Sequence, residues 1–201
     1  MAVARRLHLI LVATGVLLVA GCGGGSKATT TSTATGTTAA PAKAVPADAV
    51  VQTSEGSFTI RLDPADSPHL VASFERLARK GFYDGLTFHR IVPGFVIQGG
   101  DPNGDGTGGP GYTTVDKPPA DLQYVKGVVA MAKTQAEPAG TAGSQFFVVL
   151  GANVGLPPEY ALLGRISAGQ DVVDKIGRLG DPQSELPTKK VTIEKIDIRP
   201  T

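Results

Sequence analysis

The chain has 201 residues, 41% of them hydrophobic and 18% charged, the balance of one globular domain carrying extra segments. Its formal net charge is +1, and once Arg5 and Arg6 are set aside with the leader described next, seventeen basic residues face eighteen acidic ones. That near-neutrality excludes an electrostatic footprint for nucleic acid and a polybasic patch for anionic lipid, and a single cysteine excludes an internal disulfide.

At the N-terminus, Arg5-Arg6 precede an apolar run from Leu7 to Ala20, broken by His8 and Thr14, which reads as a secretory signal over residues 1–21. The run is short for a membrane span. Leu18-Val19-Ala20-Gly21-Cys22 then sets small residues before the only cysteine and resembles the lipobox of bacterial lipoproteins. The resemblance implies a diacylglycerol on the Cys22 sulfur, cleavage before it and fatty acylation of the new N-terminus. Export with attachment to a bacterial membrane through that lipid is the expected localisation. Residues 22–47 are Gly, Thr, Ser, Ala and Pro with few apolar side chains, so they cannot bury a core and read as a flexible tether. A tether of roughly 25 residues reaches on the order of 25 to 30 Å.

Residues 48–201 read as one domain rich in short strands. Ala49 to Gln52 and Phe58 to Leu62 flank the hairpin signal Ser54-Glu55-Gly56-Ser57, with Phe58, Ile60 and Leu62 on one face. Ser67 is a natural N-cap with Pro68 at the first helical position, and Leu70, Phe74 and Leu77 form one helical face before Gly81. Further strands are expected at Thr87 to Val92, Phe95 to Gln98, Val128 to Ala132, Gln145 to Leu150 and Ala161 to Ile166. A second helix is expected at about Gln170 to Arg178, with Val172, Val173, Ile176 and Leu179 as its apolar residues. The last strand, Val191 to Ile198, slips phase at Glu194-Lys195, where a bulge would restore its inward face. About eight strands and two helices point to a mainly β fold, a closed antiparallel eight-stranded barrel capped by two α-helices.

Arg90 stands out within FHRIVPGFVIQGGD, because a charge in the middle of a strand that favours burial needs a partner or a chemical task. Gln98 lies on the returning arm of the same tight hairpin, where the two side chains can share a face. His89 precedes Arg90 on the strand and should face the other way. Ser144 lacks the glycine two residues on that a nucleophile elbow uses. The Gly-rich stretch 99–111 has no Lys-Ser/Thr pair for phosphate. Asp101 to Gly106 begins like a calcium loop, but Tyr112 occupies the position where a bidentate acid is required, so no metal is expected.

Four segments in order, GFYDGLTFHRIVPGFVIQGGDPNGDGTGGPG at 81–111, GVVAMA at 127–132, AGSQFFVVL at 142–150 and LPPEYALLGRI at 156–166, resemble the cyclophilin-type peptidyl-prolyl cis-trans isomerases. The match covers essentially all of 48–201 and implies a cofactor-independent enzyme that rotates X-Pro bonds non-covalently. In exported form it would assist folding of proline-containing proteins outside the cytoplasm. The resemblance implies Arg90 as the catalytic donor to the proline nitrogen and Gln98 as its holder and a contact to the substrate backbone. It implies an apolar proline socket of Phe95, Val96, Phe147 and Leu156, a backbone contact at Lys133, and Gln145 and Tyr160 at the rim. The expected partners are proline-containing segments of unfolded or flexible proteins, met by a monomer, with no nucleic acid. A second reading is a chaperone or adaptor module that binds such segments with incidental turnover. Relatives that bind cyclosporin well commonly carry a tryptophan just before the position of Leu156; this chain has no tryptophan and places Gly155 there, which implies weak inhibition.

Overall fold

The structure, a computed structural model, describes residues 46–201. The expected signal segment, Cys22 and the tether as far as residue 45 lie outside the described residues. Strand β1 (Ala47–Thr53) opens the sheet two residues ahead of the strand expected from Ala49, with Ala47 opposite Pro200. It turns at Ser54-Glu55 into β2 (Gly56–Leu62), whose Phe58, Ile60 and Leu62 all point into the core.

Helix α1 (Pro68–Arg79) buries Leu70, Phe74 and Leu77, as its spacing predicts. Its N-terminus is capped differently from the expectation. Ser67 makes no side-chain cap bond; instead the carboxylate of Asp116, far along the chain, accepts the Leu70 N–H at 2.7 Å. A carboxylate satisfies the orphan amide and also complements the positive end of the helix.

The remaining elements are β3 (Thr87–Val92), β4 (Val96–Asp101), β5 (Thr114–Val115), β6 (Val128–Met131), β7 (Thr141–Ala142), β8 (Phe146–Val149), β9 (Leu162–Ala168), α2 (Gln170–Gly177) and β10 (Ile193–Pro200). Eight strands form one antiparallel sheet in the order β10-β1-β2-β9-β6-β8-β4-β3, while β5 and β7 make a separate two-stranded ribbon absent from the sequence reading. In β10 the pairing jumps from Gln52↔Lys195 to Thr53↔Ile193, leaving Glu194 as the expected bulge.

The expectation of a closed barrel needs correction. The eight strands and two helices are present, but the sheet is curled and open, with β10 and β3 as its edges. Only an isolated bridge between Thr87 and Thr192 spans the seam, flanked by bonds from Phe88 N–H to the Val191 carbonyl and from Ile193 N–H to the Leu86 carbonyl. The physical reason lies beyond Thr87: there the free edge of β3 is covered by the 181–188 turn, whose Glu185 carbonyl accepts the Ile91 N–H at 2.9 Å. A turn occupying that edge leaves no room for a strand.

The curled sheet is buried on both faces along its middle. Phe58, Ile60, Phe88, Ile91, Ile97, Phe146 and Val148 pack inside with α1 and α2, whereas Val96, Val128, Ala130, Phe147, Val149 and Leu162 form a second cluster on the outer face. Continuous apolar runs such as Phe146-Phe147-Val148-Val149 follow from this, because successive side chains of a strand enter opposite clusters.

Candidate active site

The arginine of β3 reaches the outer face through a bulge. Across the β3–β4 hairpin, Phe88 pairs with Gly99 and Arg90 with Gln98, so His89 has no counterpart. Without the extra residue Arg90 would share the inward phase of Phe88; with it, Phe88 and Ile91 are both fully buried and Arg90 stands beside Gln98 on the other side. His89 is left lining a different cavity with Leu186, Pro187 and Lys190, and burial pushes its imidazole pKa down. It plays no part in the groove.

On the outer face a cavity of about 170 Å³ is lined by Arg90, Phe95, Val96, Gln98, Ala132, Lys133, Phe147, Leu156 and Tyr160. Every site residue expected from the sequence within 46–201 is there except Gln145, which lines an adjoining cavity of about 690 Å³ together with Gln98 and Lys133. The smaller cavity is below the roughly 300 Å³ where drug-sized sites begin and suits a single apolar ring. Val96 and Phe147 form its buried floor at 2% and 3% exposure. Phe95 leaves the tight turn at Pro93-Gly94, which Gly94 permits with φ +74, and its ring lies 5.8 Å from the Arg90 guanidinium carbon. Tyr160 stands edge-on to Phe147 with centroids 5.5 Å apart.

The polar wall is a chain of side chains. Arg90 Nη1 donates to Gln98 Oε1 at 3.5 Å, Gln98 Nε2 to Gln145 Oε1 at 3.1 Å, and Gln145 Nε2 to the carbonyls of Gly106 and Gly108 at 3.0 and 2.9 Å. The contact with Gln98 is long for a hydrogen bond. The short one is elsewhere, from Arg90 Nε to Glu185 Oε2 at 2.7 Å. Lys133 lines the cavity with a side chain only 4% exposed: its Nζ meets Glu159 at 3.2 Å and the carbonyls of Thr134 and Glu137. Its charge is therefore spent within the wall.

Two residues bonded to the lining of the groove escaped the sequence reading. Tyr124 is fully buried, donates its hydroxyl to the Tyr160 carbonyl at 2.6 Å and accepts the Tyr160 N–H at 3.0 Å; burial raises its pKa to about 12, keeping it protonated as that donor requires. Its aromatic type in a loop was the only available signal. Glu185 carried none, being 95 residues from Arg90 in a turn.

A small apolar socket bordered by a fixed guanidinium can hold a cyclic aliphatic side chain and aim charged donors at its edge. Among the described residues no group of His, Cys, Asp or Glu is assembled to hold a metal ion, and Asp101 is occupied by the backbone N–H groups of Asn103, Asp105 and Gly106. Comparison with known proteins agrees with the groove. Residues 49–198 match the family model for cyclophilin type peptidyl-prolyl cis-trans isomerases. A Bacillus subtilis peptidyl-prolyl cis-trans isomerase B is 41% identical over 126 residues, covering 62% of this chain and 85% of the relative. A Mycobacterium tuberculosis peptidyl-prolyl cis-trans isomerase A is 37% identical over 169 residues, covering 76% and 92%. The crystal structure of a Cryptosporidium parvum cyclophilin type isomerase superposes with a TM-score of 0.71 at 29% identity, covering 78% of this chain and 99% of that one. A second crystal structure of that protein, in the presence of the dipeptide Ala-Pro, gives 0.68. Because the matched span runs from the third residue of β1 to within two residues of the end of β10, the whole described domain belongs to the cyclophilin-type peptidyl-prolyl cis-trans isomerases.

Proposed function

We propose that Arg90 is the group through which this isomerase accelerates X-Pro rotation, and that the enzyme works as a lipid-anchored monomer on exported proteins. Rotation about a peptide bond faces roughly 18 to 20 kcal/mol because amide resonance must be broken. No covalent bond forms and no proton has to move. At the twisted transition state the proline nitrogen regains a lone pair, so a fixed donor aimed there favours the twisted state over either planar one. Arginine suits the task, since its donors form a rigid fork that stays charged.

An acceleration of five powers of ten requires about 7 kcal/mol. One preorganised donor supplies about 3 to 4 kcal/mol, and holding the ring among Phe95, Phe147 and Leu156 with water excluded contributes the remainder. The observation that carries the proposal is the sharing of one small cavity by the Arg90 guanidinium and the apolar socket. A module that only binds proline segments needs the socket and not the donor. Relaxation of a short X-Pro peptide followed with catalytic amounts of protein separates the two: acceleration is expected, and saturable binding without acceleration would leave the binding module.

The anchor rests on Leu18 to Cys22 and on the composition of residues 22–47. Labelled palmitate is expected to enter the wild-type chain in a bacterial host and not Cys22→Ser. Equal labelling of both would remove the anchor from the proposal.

A further inference from the structure

The guanidinium of Arg90 has several donors and only part of it can face substrate, so its orientation depends on what holds the rest. Gln98 is a weak holder at 3.5 Å, and the Phe95 ring offers a face and no direction. Glu185 takes the Nε–H at 2.7 Å, an edge from which the planar fork projects its remaining donors.

The turn that carries Glu185 is organised around this contact. Asp181 Oδ1 accepts the N–H groups of Gln183 and Ser184 and the Ser184 hydroxyl, while the Asp181 carbonyl accepts Glu185 N–H at 2.9 Å. The Glu185 carbonyl then takes the N–H of Ile91, the residue after Arg90, at 2.9 Å. Glu185 is thereby tied to β3 by its backbone and to Arg90 by its side chain. It is also the one non-glycine residue among those described with a left-handed backbone, φ +59. Glycine would fit that conformation without strain, so a glutamate there uses its side chain for something.

We propose that Glu185 is the positioning residue of the active-site arginine: its carboxylate fixes the Nε edge so that the Nη donors are held toward the socket. The inference rests on Arg90 being the donor. Free of the carboxylate, the guanidinium keeps its charge and loses its aim.

The test uses the full chain in four forms, wild type, Glu185→Gly, Glu185→Gln and Arg90→Ala, with the double variant Arg90→Ala/Glu185→Gly. Isomerisation of an X-Pro peptide is resolved into kcat and KM, and thermal unfolding is recorded for each. Glu185→Gly is expected to lose about 10- to 100-fold in kcat, the scale of misplacing a catalytic group, with KM little changed. Its melting temperature should be unchanged or raised, because relief of the left-handed strain offsets a half-exposed ion pair. Glu185→Gln, whose amide oxygen can still accept from Nε, should recover most of the lost kcat. In the Arg90→Ala background the glycine substitution should cost nothing further. Wild-type or raised kcat in Glu185→Gly, beside a crippled Arg90→Ala, overturns the role of Glu185 alone. A fully active, folded Arg90→Ala overturns the donor itself.

Discussion

One extra residue in β3 decides which side of the sheet its arginine faces, since the bulge at His89 separates the buried Phe88 from Arg90 in the groove. At the same scale Gly155 decides what the rim can hold. It has φ +66 and open space where a Cβ would stand, so a side chain is opposed there by backbone strain and not by crowding. Weak inhibition by cyclosporin is expected: one absent ring contact and hydrogen bond, at about 2 to 3 kcal/mol, is on the order of a hundredfold in Kd. Gly155→Trp should tighten binding by less than that, because the left-handed backbone costs on the order of 1 kcal/mol or more. Calorimetric titration of both forms checks it; tight binding by the wild type would show that the rim contact is dispensable. Arg90, Gln98 and the socket residues were legible because they fall in contiguous, ordered segments. Glu185 and Tyr124 were not, since each acts through tertiary contacts that leave no local pattern.

Among the elements, α1 shows how a correct helix can carry a wrong cap. Ser67-Pro68 gives the right starting point, yet Ser67 is fully buried and the bond to Leu70 N–H comes from Asp116, which also meets His69 Nδ1 at 2.8 Å. Asp116→Ala should lose about 1 to 2 kcal/mol in urea unfolding, the usual cost of a cap, with the m-value unchanged. A loss confined to a few tenths would mean that water replaces the carboxylate. The β5–β7 ribbon that carries Asp116 close by was invisible because two-residue strands have no periodicity to read. A second clamp joins the β1–β2 turn to α2 and to the segment before β10: Glu55 is paired with Lys189 and, at 3.0 Å, with Lys175. Hydrogen bonds from Lys189 and then Lys175 hold the Glu55 carboxyl below its ordinary value of 4.5. A depressed folded-state pKa stabilises above the unfolded value and loses that stabilisation as pH falls through the folded one. Glu55→Gln should therefore be less stable than wild type at pH 7, and the gap should narrow as pH drops below about 4.5. A gap that is constant with pH would assign the loss to packing instead.

For the molecule as a whole, the eight strands of the main sheet, the two helices and the Glu194 bulge followed from alternation and turn residues, while closure did not, because the 181–188 turn covers the edge that a barrel would have paired. That same turn brings Glu185 to Arg90, so the opening in the sheet and the polar wall of the groove share one origin. The proposed lipid on Cys22 lies ahead of a sheet that begins at Ala47, and the groove draws all its lining from Arg90 onward. Isomerase activity of Cys22→Ser should equal that of wild type in detergent, and a loss would tie the anchor to the groove. The most direct measurement is the relaxation of a short X-Pro peptide with wild type and with Arg90→Ala, unfolding being followed in parallel. The ion pair that Arg90 makes is half-exposed and worth about 1 kcal/mol or less, so Arg90→Ala should fold normally. Its kcat/KM should fall by about a hundredfold or more, the cost of removing one preorganised donor. A folded Arg90→Ala protein that turns over at the wild-type rate would contradict it.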